Sequence, residues 1–161
     1  PMKSDLHAMH RYMNILSAER TYIRFQGEII SLEEEENFLN LQLEKISKDL
    51  AVQLLIFADD ELIGSADIEL LNRTDRHIGE LGISIAKDFR GQGLGLLLMN
   101  LIIEEAMKQL PSIETITLVV FANNLVAISL YQKLGFTQYG LLPRGVKLAN
   151  ELYVDLVLMY K

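Results

Sequence analysis

Six consecutive residues, Arg90-Gly91-Gln92-Gly93-Leu94-Gly95, put glycine at alternate positions between two apolar runs. The run before them, Leu81-Gly82-Ile83-Ser84-Ile85-Ala86, has the length and composition of a buried strand. The run after them, Leu96 to Ala106, is too long for a typical strand and reads as a helix. A strand, a glycine turn and a helix start together make a cradle for phosphate. Glycine lets the main chain approach an anion closely and take dihedrals that other residues resist. The first helical turn adds unpaired N–H groups and the positive end of the helix dipole. Two common cradles do not fit. The dinucleotide pattern G-x-G-x-x-G needs glycine where Leu96 stands, and no G-K-[ST] ending occurs. A nicotinamide-dependent oxidoreductase would also need an acidic residue after the second strand of a βαβ unit, and none is placed there.

Other residues could move protons. Alternation along the strand puts Glu80, Gly82 and Ser84 on one face, and the two small neighbours leave room for a ligand beside the carboxylate. Glu80 is therefore a candidate base, or else a strand-end glutamate in a surface ion pair. Asp67, Glu69 and Asp155 are secondary candidates, since each also reads as the outward residue of an alternating strand. Tyr131 lies in a helical stretch and is either a proton donor or an aromatic on the core face. Asn124, just before that stretch, is a helix cap or a polar contact to a ligand, with Asn123 competing for the cap. Arg90 either contacts a phosphate or braces the turn, and Gln92 acts through its N–H.

These residues need a scaffold. Asp5 to about Arg20 reads as a helix, with Leu6, Met9, Met13 and Leu16 at helical spacing. Ser31-Leu32-Glu33-Glu34 is a capping box that opens a second helix. Val52–Ala58 and Leu62–Leu70 flank Asp59-Asp60 as a hairpin. A central strand spans His77–Ala86, and the helix after the glycine turn runs to about Leu110, where Pro111 ends it. Ile113–Phe121 is the next strand. A helix then runs to Leu134 and stops at Gly135. Phe136–Leu142 and Leu152–Tyr160 are the last two strands, with Pro143-Arg144-Gly145 expected to join them. Alternating strands and helices with hairpins at both ends predict a mixed α/β sheet with helices on both faces. Neither linker nor repeat divides the chain, so one domain is expected over 1–161.

Composition narrows the classes. Half of the residues are apolar, enough for one core. There is no cysteine, hence no disulfide framework, thiolate metal site or cysteine nucleophile. His7 and His10 share a helix face without a third ligand, and His77 stands apart, so no metal site is expected. The net charge of −7 argues against a nucleic-acid partner. No apolar run reaches membrane-spanning length and no signal-peptide pattern opens the chain, which predicts a cytoplasmic protein without a membrane partner.

Arg90, Gly93 and Gly95 fill the pattern [RQ]-x-x-G-x-[GA], and Asn124-Leu125-Val126-Ala127-Ile128-Ser129-Leu130-Tyr131-Gln132-Lys133-Leu134-Gly135-Phe136 fills N-x-x-A-x-x-L-Y-x-x-x-G-F. In their order and spacing the two motifs resemble those of the GCN5-related N-acetyltransferase (GNAT) superfamily, and Thr74 to Ile83 resembles a subgroup of unassigned substrate. The likeness covers the chain from roughly Asp5 to Tyr160.

It implies a mostly antiparallel sheet with a V-shaped splay at its central strands, and acetyl-CoA as cofactor. The pyrophosphate would lie on the N–H groups of Gln92, Gly93, Leu94 and Gly95, with Arg90 and Gly91 also in the cofactor-binding turn. The pantetheine arm would lie along Ile83, Ser84 and Ile85 with Asn124 beside it, and an N–H of Ile83 or Ser84 would face the oxyanion. Tyr131 would be the general acid and Glu80 the base. The implied reaction is acetyl transfer to a primary amine of a small molecule or peptide by direct attack in a ternary complex. A catalytically silent acyl-CoA-binding module on the same fold is the alternative. The acceptor pocket would fall at Arg20–Ile30 and Leu142–Glu151, with Tyr22, Arg24, Phe25, Arg144 and Lys147 as lining. The family's usual strand ahead of the first helix has no counterpart here, either lost or outside a fragment. Its absence would leave a sheet edge open to a second copy, so a homodimer is among the expectations.

Overall fold

The computed structural model describes residues 1–161. After a short 3₁₀ turn the chain forms α1 (Leu6–Glu19), α2 (Leu32–Ser47), β1 (Ala51–Ala58), β2 (Glu61–Leu70) and β3 (Ile78–Ile85). It continues through α3 (Leu94–Gln109), β4 (Thr115–Phe121), α4 (Leu125–Lys133), β5 (Thr137–Lys147) and β6 (Tyr153–Tyr160). Within residues 1–161, β1 forms one edge of the sheet and β5 the other. No helix is long and apolar enough to cross a membrane.

Local chemistry sets the helix starts. The Glu34 N–H donates to Ser31 Oγ at 3.2 Å, and the Ser31 N–H donates to the Glu34 carboxylate at 2.7 Å, closing the capping box of α2. Asn124 accepts from the Ala127 N–H at 3.2 Å and is the cap of α4; Asn123 is not. The segment between α1 and α2 is clamped at its end, where Asn14 bonds both the N–H and the C=O of Ile30 at 3.0 Å.

The sheet order is β1-β2-β3-β4-β6-β5. Every neighbouring pair is antiparallel except β3 with β4. Residues of β1, β2, β3 and β4 such as Val52, Ile68, Leu81 and Leu118 pack on one face against Leu98, Met99 and Ile102 of α3 and Tyr131 of α4. A smaller cluster, including Met9, Tyr12 and Leu16 of α1 and Leu39 of α2, covers the other face. Helices on both faces of a mostly antiparallel sheet are the architecture that the sequence predicts.

One expected connection is corrected. Pro143-Arg144-Gly145 does not join the last two strands; β5 runs through it as a bulge, with the register to β6 shifting between Leu142 and Val146. Proline lacks an N–H for the ladder and is tolerated in an edge-strand bulge. The Arg144 N–H instead donates to Asp155 Oδ1 at 2.7 Å, and Gly145 leaves room for Leu156, whose Cγ would lie 2.7 Å from an added Cβ. The reversal comes later, where the Leu148 N–H meets the Leu152 carbonyl at 2.8 Å.

Ile102 is fully buried between α3 and the sheet. Ile102→Ala is expected to destabilise the fold by about 2–5 kcal/mol, read from urea denaturation at constant m-value.

Candidate active site

The parallel pairing of β3 with β4 covers only Ile78–Glu80 against Thr115–Thr117, although β3 runs on to Ile85 and β4 to Phe121. Beyond Glu80 the two strands part, leaving a V whose closed end is the Glu80–Thr117 pair. Antiparallel ladders fix which main-chain groups face the gap. The Ala86 N–H donates to the Ile63 carbonyl and the Leu71 N–H to the Ile78 carbonyl, so Glu80, Gly82 and Ser84 are the β3 residues bonded to β2. The main-chain groups of Ile83 and Ile85 therefore turn toward the gap. The Ile85 carbonyl is taken by Arg90 Nε at 2.7 Å. The Ile83 N–H and C=O and the Ile85 N–H are left along the open edge. Ser84 is different from what its position in the run suggests. Its N–H belongs to the ladder with β2, and its Oγ accepts from the Tyr12 hydroxyl at 2.9 Å.

The glycine turn opens at the end of the same strand. Gly91 and Gly93 have φ of +75° and +84°, and nothing lies within 4 Å of where a Cβ would stand on either. No side chain caps α3, and the first helical bond runs from the Leu97 N–H to the Gly93 carbonyl at 3.1 Å. Four orphan donors follow at Gly93, Leu94, Gly95 and Leu96. Three of these fall within the expected Gln92–Gly95, and Leu96 is added because the helix begins at Leu94. The Gln92 side chain folds back, donating through Nε2 to the Asp88 carbonyl at 3.0 Å. Gly95 packs close to α4, where an added Cβ would meet Leu130 at 3.4 Å.

Arg90 braces this turn. Besides its bond to Ile85, it pairs with Glu19 at 2.7 Å, and the Glu19 side chain is only 10% exposed. Tyr131 lies in α4 with its ring buried against Phe136, centroids 6.1 Å apart, and burial pushes its phenol up to about 12. Its hydroxyl bonds no protein group yet is not sealed from solvent.

Three carboxylates meet on the α1/α2 face at the closed end of the V. Glu69 pairs with Glu80 across β2 and β3, and Asp67 pairs with Gly82. With Leu71 and Leu81 these residues line a cleft of about 280 Å³. Glu80 is exposed, and Lys45 of α2 holds Glu69 at 2.6 Å. Asp67 is half-buried, and its carboxyl is pushed up to about 6, chiefly by burial and then by the charges of Glu69 and Glu80, against Lys45. Asp155 stands apart, holding the β5 bulge. A larger cavity of about 470 Å³ lies between α1 and the β1–β2 turn and contains none of the glycine-turn residues.

A family model described as the acetyltransferase (GNAT) family matches residues 10–136. The chain belongs to that family. It is 32% identical over 104 residues to the L-amino acid N-acetyltransferase of Escherichia coli (strain K12), an alignment spanning 64% of this chain and 63% of that protein. The crystal structure of a GNAT-family acetyltransferase from Streptococcus pneumoniae superposes with a TM-score of 0.87 at 33% identity, covering 98% of this chain and 94% of that one. Spermidine N-acetyltransferase from Vibrio cholerae, solved with CoA and spermine, gives 0.79 at 25% identity, covering 100% and 91%.

In this GNAT chain two residues near the V carry no sequence signal. Tyr12 reaches Ser84 from α1, and burial pushes its phenol up to about 12. Glu19, at the last turn of α1, meets Arg90 only through the tertiary fold. Nothing in their spacing marks either one. Of the expected acceptor residues, Tyr22 stands edge-on to Phe121 at the end of β4, 6.5 Å between centroids. Arg24 and Phe25 are exposed in the same loop. Arg144 lies 3.9 Å over the Tyr153 ring and Lys147 pairs with Glu151, so both are held within the β5–β6 hairpin.

The raised carboxyl of Asp67 has a consequence for stability. An unfolded aspartate titrates near 3.9, so between there and about 6 the native state binds the extra proton. Stability then falls as pH rises through that window. Asp67→Asn is expected to be more stable than wild type by about 1–3 kcal/mol at pH 7.5, with the difference vanishing below about pH 4, read from paired urea melts.

Proposed function

We propose that the chain is an acetyl-CoA-dependent N-acetyltransferase that acylates a primary amine by direct attack within a ternary complex. The observation that carries this reading is the early end of the β3–β4 ladder, which leaves the edge of Ile83 free beside four orphan N–H groups. Those N–H groups, at Gly93 to Leu96, suit a pyrophosphate, with open space over Gly91 and Gly93 for its approach. Each charge-assisted bond is worth about 1.5–3 kcal/mol. The Ile83 edge suits the amide groups of a pantetheine arm, and the NH₂ of Asn124, whose oxygen is the cap, bonds no protein group and suits a contact to the same arm. When bound, acetyl-CoA supplies an acetyl thioester, from which the amine nitrogen takes the acetyl carbon as the C–N bond forms and the C–S bond breaks.

The protein's own groups manage charge and protons. The Ile83 N–H, preorganised at the strand edge, faces the oxygen on which charge develops. The Tyr131 phenol remains protonated at neutral pH and donates to the departing thiolate, whose reference pKa is about 8.5. The amine's proton passes to a carboxylate at the apex of the V, where Glu80, Asp67 and Glu69 stand together. A lysine-like ammonium needs such an acceptor, since its deprotonation at pH 7 costs about 4–5 kcal/mol.

Tyr131→Phe is expected to lower kcat by about 10²–10⁴-fold while leaving acetyl-CoA affinity by calorimetry unchanged. Release of free CoA in the presence of primary amines tests the reading itself. Acetyl-CoA binding without amine-dependent release would instead assign the chain to a silent binding module.

A further inference from the structure

On this face of β3 three positions follow in order: Glu80 at the closed end of the V, Gly82 beneath Asp67, and Ser84 held by Tyr12. Gly82 and Ser84 both flank the open edge at Ile83, and Ser84 already accepts from Tyr12. Gly82 has no side chain there, and Asp67 occupies the space: an added Cβ on Gly82 would lie 3.1 Å from Asp67 Oδ1. Glu80 lies three residues back, about 10 Å along the strand, level with the last pair that β3 makes with β4. The Asp67 carboxylate bonds no protein group, although it lines the 280 Å³ cleft and its oxygens are not sealed from it. The cation that bears on it, Lys45, is already held by Glu69.

We propose that Asp67, rather than Glu80, takes the proton from the acceptor amine, and that Glu69 and Glu80 are positioning residues that act on it through their negative charge. This rests on the N-acetyltransferase reading above. A carboxylate without hydrogen bonds, partly out of water and flanked by two like charges, holds a proton more readily than an exposed one. Its value of about 6 leaves it mostly ionised at pH 7 yet a better base than an ordinary aspartate. The charged groups that face it are Glu69 on its own strand, Glu80 on β3 and Lys45 on α2; its register neighbour on β1 is the neutral Gln53. Asp67 is the catalytic residue in this account, accepting the proton that the ammonium loses before its nitrogen attacks.

The test is a pH profile of kcat/KM from CoA release, with acetyl-CoA and spermidine, L-lysine and L-alanine amide as amines. Wild type is expected to lose activity on an acidic limb near pH 6. Asp67→Asn is expected to lower kcat at least about 100-fold and to abolish that limb, while acetyl-CoA affinity by calorimetry stays within about twofold. Its expected gain in stability separates this loss from misfolding. Glu80→Gln and Glu69→Gln lose less and move the limb to lower pH, because a repelling charge is gone; Lys45→Gln moves it to higher pH. A purely structural role for any of these groups would not move the limb in these opposite directions. An Asp67→Asn rate within threefold of wild type, or a limb that stays in place in Glu80→Gln and Glu69→Gln, overturns the assignment and leaves the transferase reading intact. A wild-type protein that binds acetyl-CoA but releases no CoA with any of the three amines overturns the transferase reading, and this assignment with it.

Discussion

The structure turns on a ladder that stops. β3 and β4 exchange hydrogen bonds over only three residue pairs and then separate, although both strands continue. Main-chain polar groups withdrawn from a sheet are costly unless something else bonds them. Here the exposed edge belongs to Ile83 and Ile85, and part of it is already satisfied by Arg90. The remainder has the spacing of an absent strand, and an extended amide-bearing ligand fits such an edge as a strand would. The same divergence brings the orphan amides of α3 to the open side, since the glycine turn begins where β3 ends.

The two faces of the sheet are built differently, and the difference follows from what each must do. The α3/α4 face is a continuous apolar core in which Leu98, Met99, Ile102, Leu118 and Met159 are almost wholly buried. It keeps the arms of the V rigid. The α1/α2 face is polar where it meets the central strands, carrying Ser65, Asp67, Glu69, Glu80 and Ser84 with Tyr12, Glu35 and Gln42. Several buried polar atoms there lack protein partners, among them Glu19 Oε1, Gln42 Nε2 and Gln53 Oε1. Unsatisfied buried groups cost stability, and so does a carboxyl pushed up to about 6. A layer that forgoes packing in this way is suited to admitting a polar substrate.

The helix α1 links the halves of the site. At its middle Tyr12 fixes Ser84, and at its end Glu19 fixes Arg90, which fixes Ile85. Three residues further along the chain, Tyr22 rests on Phe121 at the tip of the opposite arm. The segment leaving α1 thus touches both arms of the V, through Arg90 on one side and Phe121 on the other.

Much of this was legible in residue types and spacing. Periodicity located each helix and strand, Ser31 and Glu34 marked a helix start, and alternate glycines marked the turn, because these signals act over a few residues along the chain. The two motifs named the family for the same reason. Pro143-Arg144-Gly145 looked like a turn, but Asp155 and Leu156 from the neighbouring strand hold it in a bulge. Register also decided the carboxylates: alternation put Glu80, Gly82 and Ser84 on one face, whereas only the pairing of β2 with β3 set Asp67 over Gly82. The residues Tyr12 and Glu19 could be recognised by nothing local, for their partners lie far along the chain. What the chain wrote in its own order was the set of elements and the glycine turn. Which groups share the gap, and with what protonation, was settled by strand register and burial, which exist only once distant segments have come together.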